Sequence, residues 1–169
     1  SLIDLKKSKT LDLANVSFDS DGLVDFDGSN DTIDMGGFDI QNRDYTVEVV
    51  YKTDSTTTGQ GIITDYQYSW WMMWIDSNNK LNWRHKKTDA NNFLLQSPNA
   101  VGSGYHHIVF AFKLGTGAKM YIDGVLVASN TFTDGFGLAS PRGPRYVGHL
   151  RTGAPGSPNS YFNGKIPVV

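Results

Sequence analysis

Two adjacent histidines, His106 and His107, are the side chains that most directly suggest metal binding or proton transfer. They stand in the stretch YHHIVFAF (105–112), whose aliphatic and aromatic residues are typical of a β-strand. Adjacent strand residues point to opposite faces of the sheet, so the two rings cannot readily converge on one metal ion. The other histidines, His85 and His149, have no histidine two or four positions away. We therefore predict that His106 and His107 hydrogen-bond to neighbouring strands.

The acidic residues argue against glycan hydrolysis. Glycoside hydrolases place two carboxyl groups across the scissile bond, about 5 Å apart in retaining enzymes and further apart in inverting ones. Glu48 is the only glutamate, and no carboxylate lies two residues from it. The aspartates stand mainly beside Gly, Asn or Ser, where their side chains cap turns. No G-x-S-x-G, P-loop or H-E-x-x-H motif occurs, so the sequence predicts a protein that is not an enzyme.

The aromatic residues between positions 66 and 83 are the best candidates for ligand contacts. Aromatic rings stack on the C–H-rich faces of sugars, and a nearby guanidinium can bind hydroxyl groups. The predicted contacts are Tyr66, Trp70, Trp74, Trp83 and Arg84. In a strand, Trp70, Met72 and Trp74 share one face, while Trp71, Met73 and Ile75 share the other, so at least one set must be core. The alternative, that nearly all of these residues are core, stays open.

Composition limits the class of protein. The chain has 169 residues, a net charge of −2 and no cysteine, so it carries neither the basic footprint of a nucleic-acid binder nor a disulfide framework. No apolar run is long enough to cross a membrane, and no signal peptide is visible. We therefore expect neither nucleic-acid binding nor membrane insertion.

Short strands separated by turns must position these side chains. Helical periodicity is nearly absent, and alternation recurs instead, as in 45–52, where Tyr45, Val47, Val49 and Tyr51 share one face. Segments 70–75 and 80–84 are predicted to form a hairpin, and Asp123-Gly124 is a strong signal for another. About a dozen such strands predict an all-β, two-sheet antiparallel sandwich.

Five motifs in a fixed order resemble one family. They are FDGSNDTI (26–33), the strand at 45–52, YHHIVF with MYIDG (105–110 and 120–124), YVG (146–148) and YFNGKI (161–166). This order is similar to that of laminin-G-like domains in the concanavalin A-like lectin/glucanase superfamily. The resemblance covers 22–166 and implies a jelly-roll sandwich. It also implies a structural calcium ion, for which Asp27 and Asp31 are the best-placed candidates.

The end of the sequence departs from the family pattern. Pro167-Val168-Val169 stands where an acidic pair and a further strand are usual, a variant that resembles bacteriophage virion proteins. We therefore expect the last strand, beside the N-terminal segment, to be missing or supplied by a partner. We also expect residues 1–169 to be a single domain from a longer chain.

These observations predict a non-catalytic adhesion or structural module of a larger displayed protein. The expected setting is an oligomeric phage virion component, such as a tail, fibre or capsid-surface protein, located on the virion surface or outside the cell. The expected partners are glycans or neighbouring subunits. A glycan-binding module would expose the aromatic residues, whereas a purely structural interaction domain would bury them. A glycoside hydrolase-like enzyme is the third reading.

Overall fold

A computed structural model describes residues 11–37, 43–55, 59–65, 71–86, 92–133, 145–151 and 159–168. Sheet A has seven strands in the order β1 (Asp12–Ala14), β4 (Thr32–Asp34), β13 (Arg145–Val147), β6 (Gln60–Asp65), β7 (Trp71–Ile75), β8 (Leu81–Lys86) and β9 (Asn92–Gln96). Sheet B has seven in the order β12 (Val125–Asn130), β11 (Gly117–Ile122), β10 (Tyr105–Lys113), β5 (Tyr45–Thr53), β16 (Asn163–Val168), β3 (Val24–Asp27) and β2 (Ser17–Phe18). A small third sheet pairs β14 (His149–Arg151) with β15 (Asn159–Tyr161).

The architecture confirms the predicted all-β sandwich. Every strand pair in these sheets is antiparallel, as in β10 with β5 and β7 with β8. The described residues contain no helix that is long and apolar enough to cross a membrane. The two large sheets contribute to one continuous hydrophobic core.

Alternation along the strands builds this core. In β10, Ile108, Phe110 and Phe112 are buried, while Val109 and Ala111 between them are only half-buried. Sheet A contributes Met73 and Trp83 from adjacent strands, and Trp83 stacks on Phe110 of sheet B with ring centroids 3.8 Å apart. Stacked aromatic rings therefore join the two sheets at the centre of the sandwich.

The two predicted hairpins are confirmed. The β11–β12 turn places Asp123 at φ 52° and Gly124 at φ 80°, the two positive values that a type I′ turn requires. The β7–β8 turn is closed by Asp76, whose Oδ1 accepts hydrogen bonds from the backbone N–H groups of Asn78 and Lys80 at 2.8 and 3.0 Å. Asn79 completes this turn at φ 58°.

The expectation of a missing or borrowed last strand after the YFNGKI motif stays a prediction. The second half of that motif lies in β16, which pairs with β3 on one side and with β5 on the other. Pro167 is accommodated because the register to β5 shifts between Lys165 and Val168. Such an irregularity tolerates a residue that has no backbone N–H to donate to the ladder.

Candidate functional site

The outward side of sheet A brings together an indole, a guanidinium and two amides. Because Met73 pairs with Trp83 and both point into the core, their neighbours in β7, β8 and β9 point outward. One row across the sheet is therefore Trp74, Asn82 and Gln96, and the next is Met72, Arg84 and Leu94. We name the surface formed by Trp74, Arg84, Leu94 and Gln96, together with the buried Asn82 in the same row, the Trp74 face.

Trp74 and Arg84 form the centre of this face. Trp74 is half-buried, and the Arg84 Cζ lies 5.5 Å from the centroid of the Trp74 ring. This distance is typical of a cation–π contact. No carboxylate within the described ranges forms an ion pair with Arg84. The guanidinium therefore rests on an aromatic ring and keeps N–H groups for a further acceptor.

A hydrogen-bonded network fixes the amides beside Trp74. Gln96 Nε2 donates to Asn82 Oδ1 at 2.8 Å and to Asp76 Oδ2 at 3.1 Å. Asn82 Nδ2 donates to the same Asp76 oxygen at 3.1 Å and to the Lys80 carbonyl at 2.8 Å. Both oxygens of Asp76 thus accept hydrogen bonds within the chain. Among the described residues of this face, Arg84 is therefore the charged side chain without an ionic partner.

The small third sheet covers the neighbouring part of sheet A. Thr64 Oγ1 donates to the His149 carbonyl at 2.7 Å, and a Cβ at Gly61 would overlap the backbone of His149 and Leu150. The His149 ring stacks on Tyr161 with centroids 4.9 Å apart. β14 therefore lies against the outward side of β6 and bounds the Trp74 face on that side.

The predicted ligand contacts divide into three groups. Trp74 and Arg84 lie together on the outward side of sheet A, and their role as ligand contacts stays a prediction. Trp83 has no exposed surface and stacks on Phe110, so its prediction as a ligand contact is wrong because its strand alternation turns it into the core. Tyr66 and Trp70 lie outside the described residues.

Sequence reasoning missed the amides. Asn82 and Gln96 belong to the Trp74 row, and Asp76 holds both. The alternation of Asn82 and Arg84 about Trp83 was the signal that could have placed Asn82 on the outward face. The partnership with Gln96 depends on the register between β8 and β9, which the sequence does not display.

The two histidines point to opposite faces of β10 and pair with different carboxylates, which confirms their predicted role. His106 Nδ1 lies 2.8 Å from Asp123 Oδ2, and its Nε2 lies 3.2 Å from the Gly102 carbonyl oxygen. His107 Nε2 lies 2.7 Å from Glu48 Oε1 on the outward side of sheet B. Glu48, the only glutamate of the chain, therefore pairs with a histidine from the adjacent strand.

Asp27 and Asp31 stabilise the β3–β4 turn. The Asp27 backbone N–H donates to Asp31 Oδ2 at 2.7 Å, and Asp27 Oδ1 accepts the Ser29 N–H at 2.7 Å. Burial raises the pKa of the Asp31 carboxyl, and the negative charge of Asp27 raises it further.

The turn supplies few of the six to eight oxygens that calcium takes. Within the described ranges, no three His, Cys, Asp or Glu side chains come together to hold a metal ion. The contacts account for Asp27 and Asp31 as turn caps, and calcium binding there stays a prediction.

Comparison with known proteins agrees with this architecture. Residues 27–169 match the model of the Laminin_G_3 family, described as the concanavalin A-like lectin/glucanases superfamily. The chain belongs to this family. None of the curated proteins compared with it matches.

Several solved structures share the fold of this laminin-G-like chain. The CBM40 of the Ruminococcus gnavus IT-sialidase, bound to α2,6-sialyllactose, is 16% identical with a TM-score of 0.61, and the match covers 74% of each chain. Botulinum neurotoxin type C, described as depending on two ganglioside molecules for access to cells, is 11% identical with a TM-score of 0.67 over 94% of this chain and 42% of the toxin chain. Domains LG4–5 of the mouse laminin α1 chain are 13% identical with a TM-score of 0.63 over 84% of this chain and 38% of theirs. At these identities, the likeness establishes the fold.

Proposed function

We propose that this chain is a non-catalytic carbohydrate-recognition module that binds saccharides on the Trp74 face. The observation that carries the proposal is the placement of the Trp74 indole, the Arg84 guanidinium and the Gln96 amide on one outward surface, with Gln96 held by the buried Asn82. An indole offers an apolar surface to sugar C–H groups, the guanidinium can donate to sugar oxygens, and the amide oxygen of the exposed Gln96 can accept a sugar hydroxyl. The amides are held in place by Asp76, so they lose little freedom when a ligand binds.

Acidic saccharides are the ligand class that this surface favours. Arg84 can donate two parallel hydrogen bonds to a carboxylate, whereas both oxygens of Asp76 already accept donors within the chain. Two proteins of similar fold support this choice, since one was solved with sialyllactose and the other is described as interacting with gangliosides. Sialyllactose and unsialylated lactose therefore make a suitable pair of probes.

The absence of a hydrolytic function is part of the proposal. Glycoside hydrolysis requires two carboxyl groups that flank the scissile bond. On the described Trp74 face, Asp76 is the acidic residue that contacts the amide row, and it is engaged by four donors. Within the part of this face that the structure describes, none of these contacts places a second carboxylate opposite Asp76, as retaining or inverting hydrolysis would require.

Replacing Trp74 with alanine tests the proposed surface. We expect Trp74→Ala to weaken sialyllactose binding at least about tenfold, or 1.4 kcal/mol, because the stacking surface is lost. Isothermal titration calorimetry measures this change, and circular dichroism checks the fold. Tyr105→Ala is a matched control, because Tyr105 is an aromatic residue that is 50% exposed on the other sheet. Unchanged affinity in Trp74→Ala, or an equal loss in Tyr105→Ala, would contradict the proposal.

The wider setting that we propose is a displayed, oligomeric protein such as a phage virion component. The resemblance of Pro167-Val168-Val169, after the YFNGKI motif, to virion proteins supports it. So does the edge strand β12, where Val125 is 63% and Leu126 48% exposed, because an open apolar edge can pair with a neighbouring subunit. The sequence of the surrounding polypeptide tests the setting: tail, fibre or capsid domains would support it, and domains of an unrelated enzyme would count against it.

A further inference from the structure

A cleft of about 200 Å³ lies on the side of the sandwich where β9 leads into β10. One wall is the β9–β10 loop, residues 97–102, and the other is formed by Ile122 and Val127 of the β11–β12 hairpin. His106 also lines the cleft. No residue of the Trp74 face lines it, so the cleft is separate from the proposed saccharide surface.

The first part of the loop is anchored to the β7–β8 turn. The Val101 N–H donates to the Asn79 carbonyl at 2.7 Å, and Asn79 Nδ2 donates back to the Val101 carbonyl. Ser97 is held in the same way, because its N–H donates to the Leu81 carbonyl at 2.9 Å and its Oγ accepts the Leu81 N–H at 3.0 Å. Beyond Val101, the contact described for the loop is that between Gly102 and His106.

His106 links the two walls. Its Nε2 faces the Gly102 carbonyl oxygen at 3.2 Å, and its Nδ1 faces Asp123 Oδ2 at 2.8 Å. A carbonyl oxygen and an ionised carboxylate can only accept hydrogen bonds. Both ring nitrogens must therefore carry a proton for both contacts to be hydrogen bonds, which is the state of the imidazolium.

Asp123 is ionised in this arrangement. The hydrogen bond from His106 lowers the pKa of the Asp123 carboxyl, and the backbone N–H of His107 adds to this effect by donating to Oδ1 at 2.8 Å. The Asp123 N–H also donates to the His107 carbonyl at 2.8 Å, which fixes the turn against β10. The carboxylate is thus held in place whatever the charge of the ring.

We propose that His106 is a pH-sensitive clasp that joins the two walls of this cleft when it is protonated and releases the Gly102 wall when it is neutral. A neutral ring has one N–H, and the charged Asp123 acceptor retains it because a charge-assisted hydrogen bond is stronger than a bond to a carbonyl. The Nε2 lone pair then faces the lone pairs of the Gly102 oxygen. Residues Gly102, Ser103 and Gly104 consequently lose their tether when the ring becomes neutral.

Among the groups around His106, Asp123 and Gly102 are the hydrogen-bond partners of its ring. From β5, the Tyr51 ring lies 6.1 Å from the His106 ring, and burial raises the pKa of Tyr51, which keeps it neutral. From β10 itself, His107 lies on the opposite face and pairs with Glu48. Asp123 is therefore the ionised side chain in direct contact with the His106 ring.

Nuclear magnetic resonance of the wild-type chain between pH 5 and 8 tests the clasp. At low pH, ¹⁵N shifts should report two protonated nitrogens in His106, with backbone order parameters for 102–104 near about 0.85, the rigid value. As His106 loses a proton from Nε2, these order parameters should fall toward about 0.6. The Gly102 carbonyl ¹³C shift should change with the same midpoint.

Two variants sharpen the test. His107→Gln removes the neighbouring histidine–carboxylate pair but not the clasp, so the pH step at 102–104 should remain. His106→Gln should abolish that step, because an amide has no charge to lose in this range. The proposal is overturned if the wild-type loop keeps its order while His106 titrates, or if the step disappears in His107→Gln instead. The wild-type titration decides the matter even if His106→Gln fails to fold.

Discussion

At the scale of single residues, Asp31 is a buried carboxylate whose ionised form lowers the stability of the folded state. It is 3% exposed and lies beside another carboxylate, Asp27. Because its folded pKa is raised above the ordinary value of 3.8, the folded state binds the proton more tightly than the unfolded state does. The contribution of Asp31 to stability is therefore most favourable below that ordinary value and declines as the pH rises through the raised folded pKa.

Asp31→Asn should relieve this cost, because an amide oxygen can still accept the Asp27 N–H and the amide NH₂ can donate to the Asp27 carboxylate. We expect a gain of about 0.5–1 kcal/mol at pH 7, measured by urea denaturation, and a gain that shrinks as the pH falls below the Asp31 pKa. Asp21→Asn, at an exposed aspartate, serves as the control. A loss of stability in Asp31→Asn at pH 7 would show that the charge is required, as it would be if the turn held a cation.

The tryptophans show how far sequence alone could define the candidate site. Strand alternation correctly separated Trp74 from Trp71, but both faces of β7 are apolar, so the pattern could not tell which face is inward. The pairing with β8 shows which face of β7 points inward, because Met73 pairs with Trp83 and both are buried. That register is a property of the folded hairpin, which is why alternation alone places neither Trp83 in the core nor Asn82 in the Trp74 row.

At the scale of elements, the docking of β14 on β6 depends on the absence of a side chain at Gly61. A Cβ there would overlap the backbone of His149 and Leu150, which cannot move aside as a flexible side chain could. We expect Gly61→Ala to destabilise the domain by about 1–3 kcal/mol, the usual range for overpacking. Urea denaturation measures the loss.

Gly59→Ala provides a matched control two residues earlier in the chain. Its Cβ would meet the Ile75 carbonyl oxygen at 3.7 Å, an ordinary contact distance, so its effect should stay within about 0.5 kcal/mol. Equal stability of the two variants would mean that β14 does not rest on Gly61. This contact could not be predicted from the sequence, because residues almost 90 positions apart make it and no local pattern marks it.

At the scale of the whole molecule, the sandwich is joined by aromatic side chains from both sheets. Trp83 of β8 stacks on Phe110 of β10 with an interplanar angle of 16°, and Trp71 meets Trp83 edge-on with centroids 4.9 Å apart. The all-β class and the two hairpins followed from alternation and from Asp123-Gly124, since these are local signals. The placement of β16 between β3 and β5 did not, because it depends on pairing between the two ends of the chain.

The proposed function rests on one tryptophan facing outward while two others form the core. The most direct test is a titration of the ¹⁵N-labelled chain with α2,6-sialyllactose, monitored at the indole N–H signals. The signal of Trp74 should shift with saturating dependence on ligand, while those of the buried Trp71 and Trp83 stay in place. If Trp74 is unchanged at saturating ligand, or if the shifts appear on sheet B, the Trp74 face is not the saccharide site.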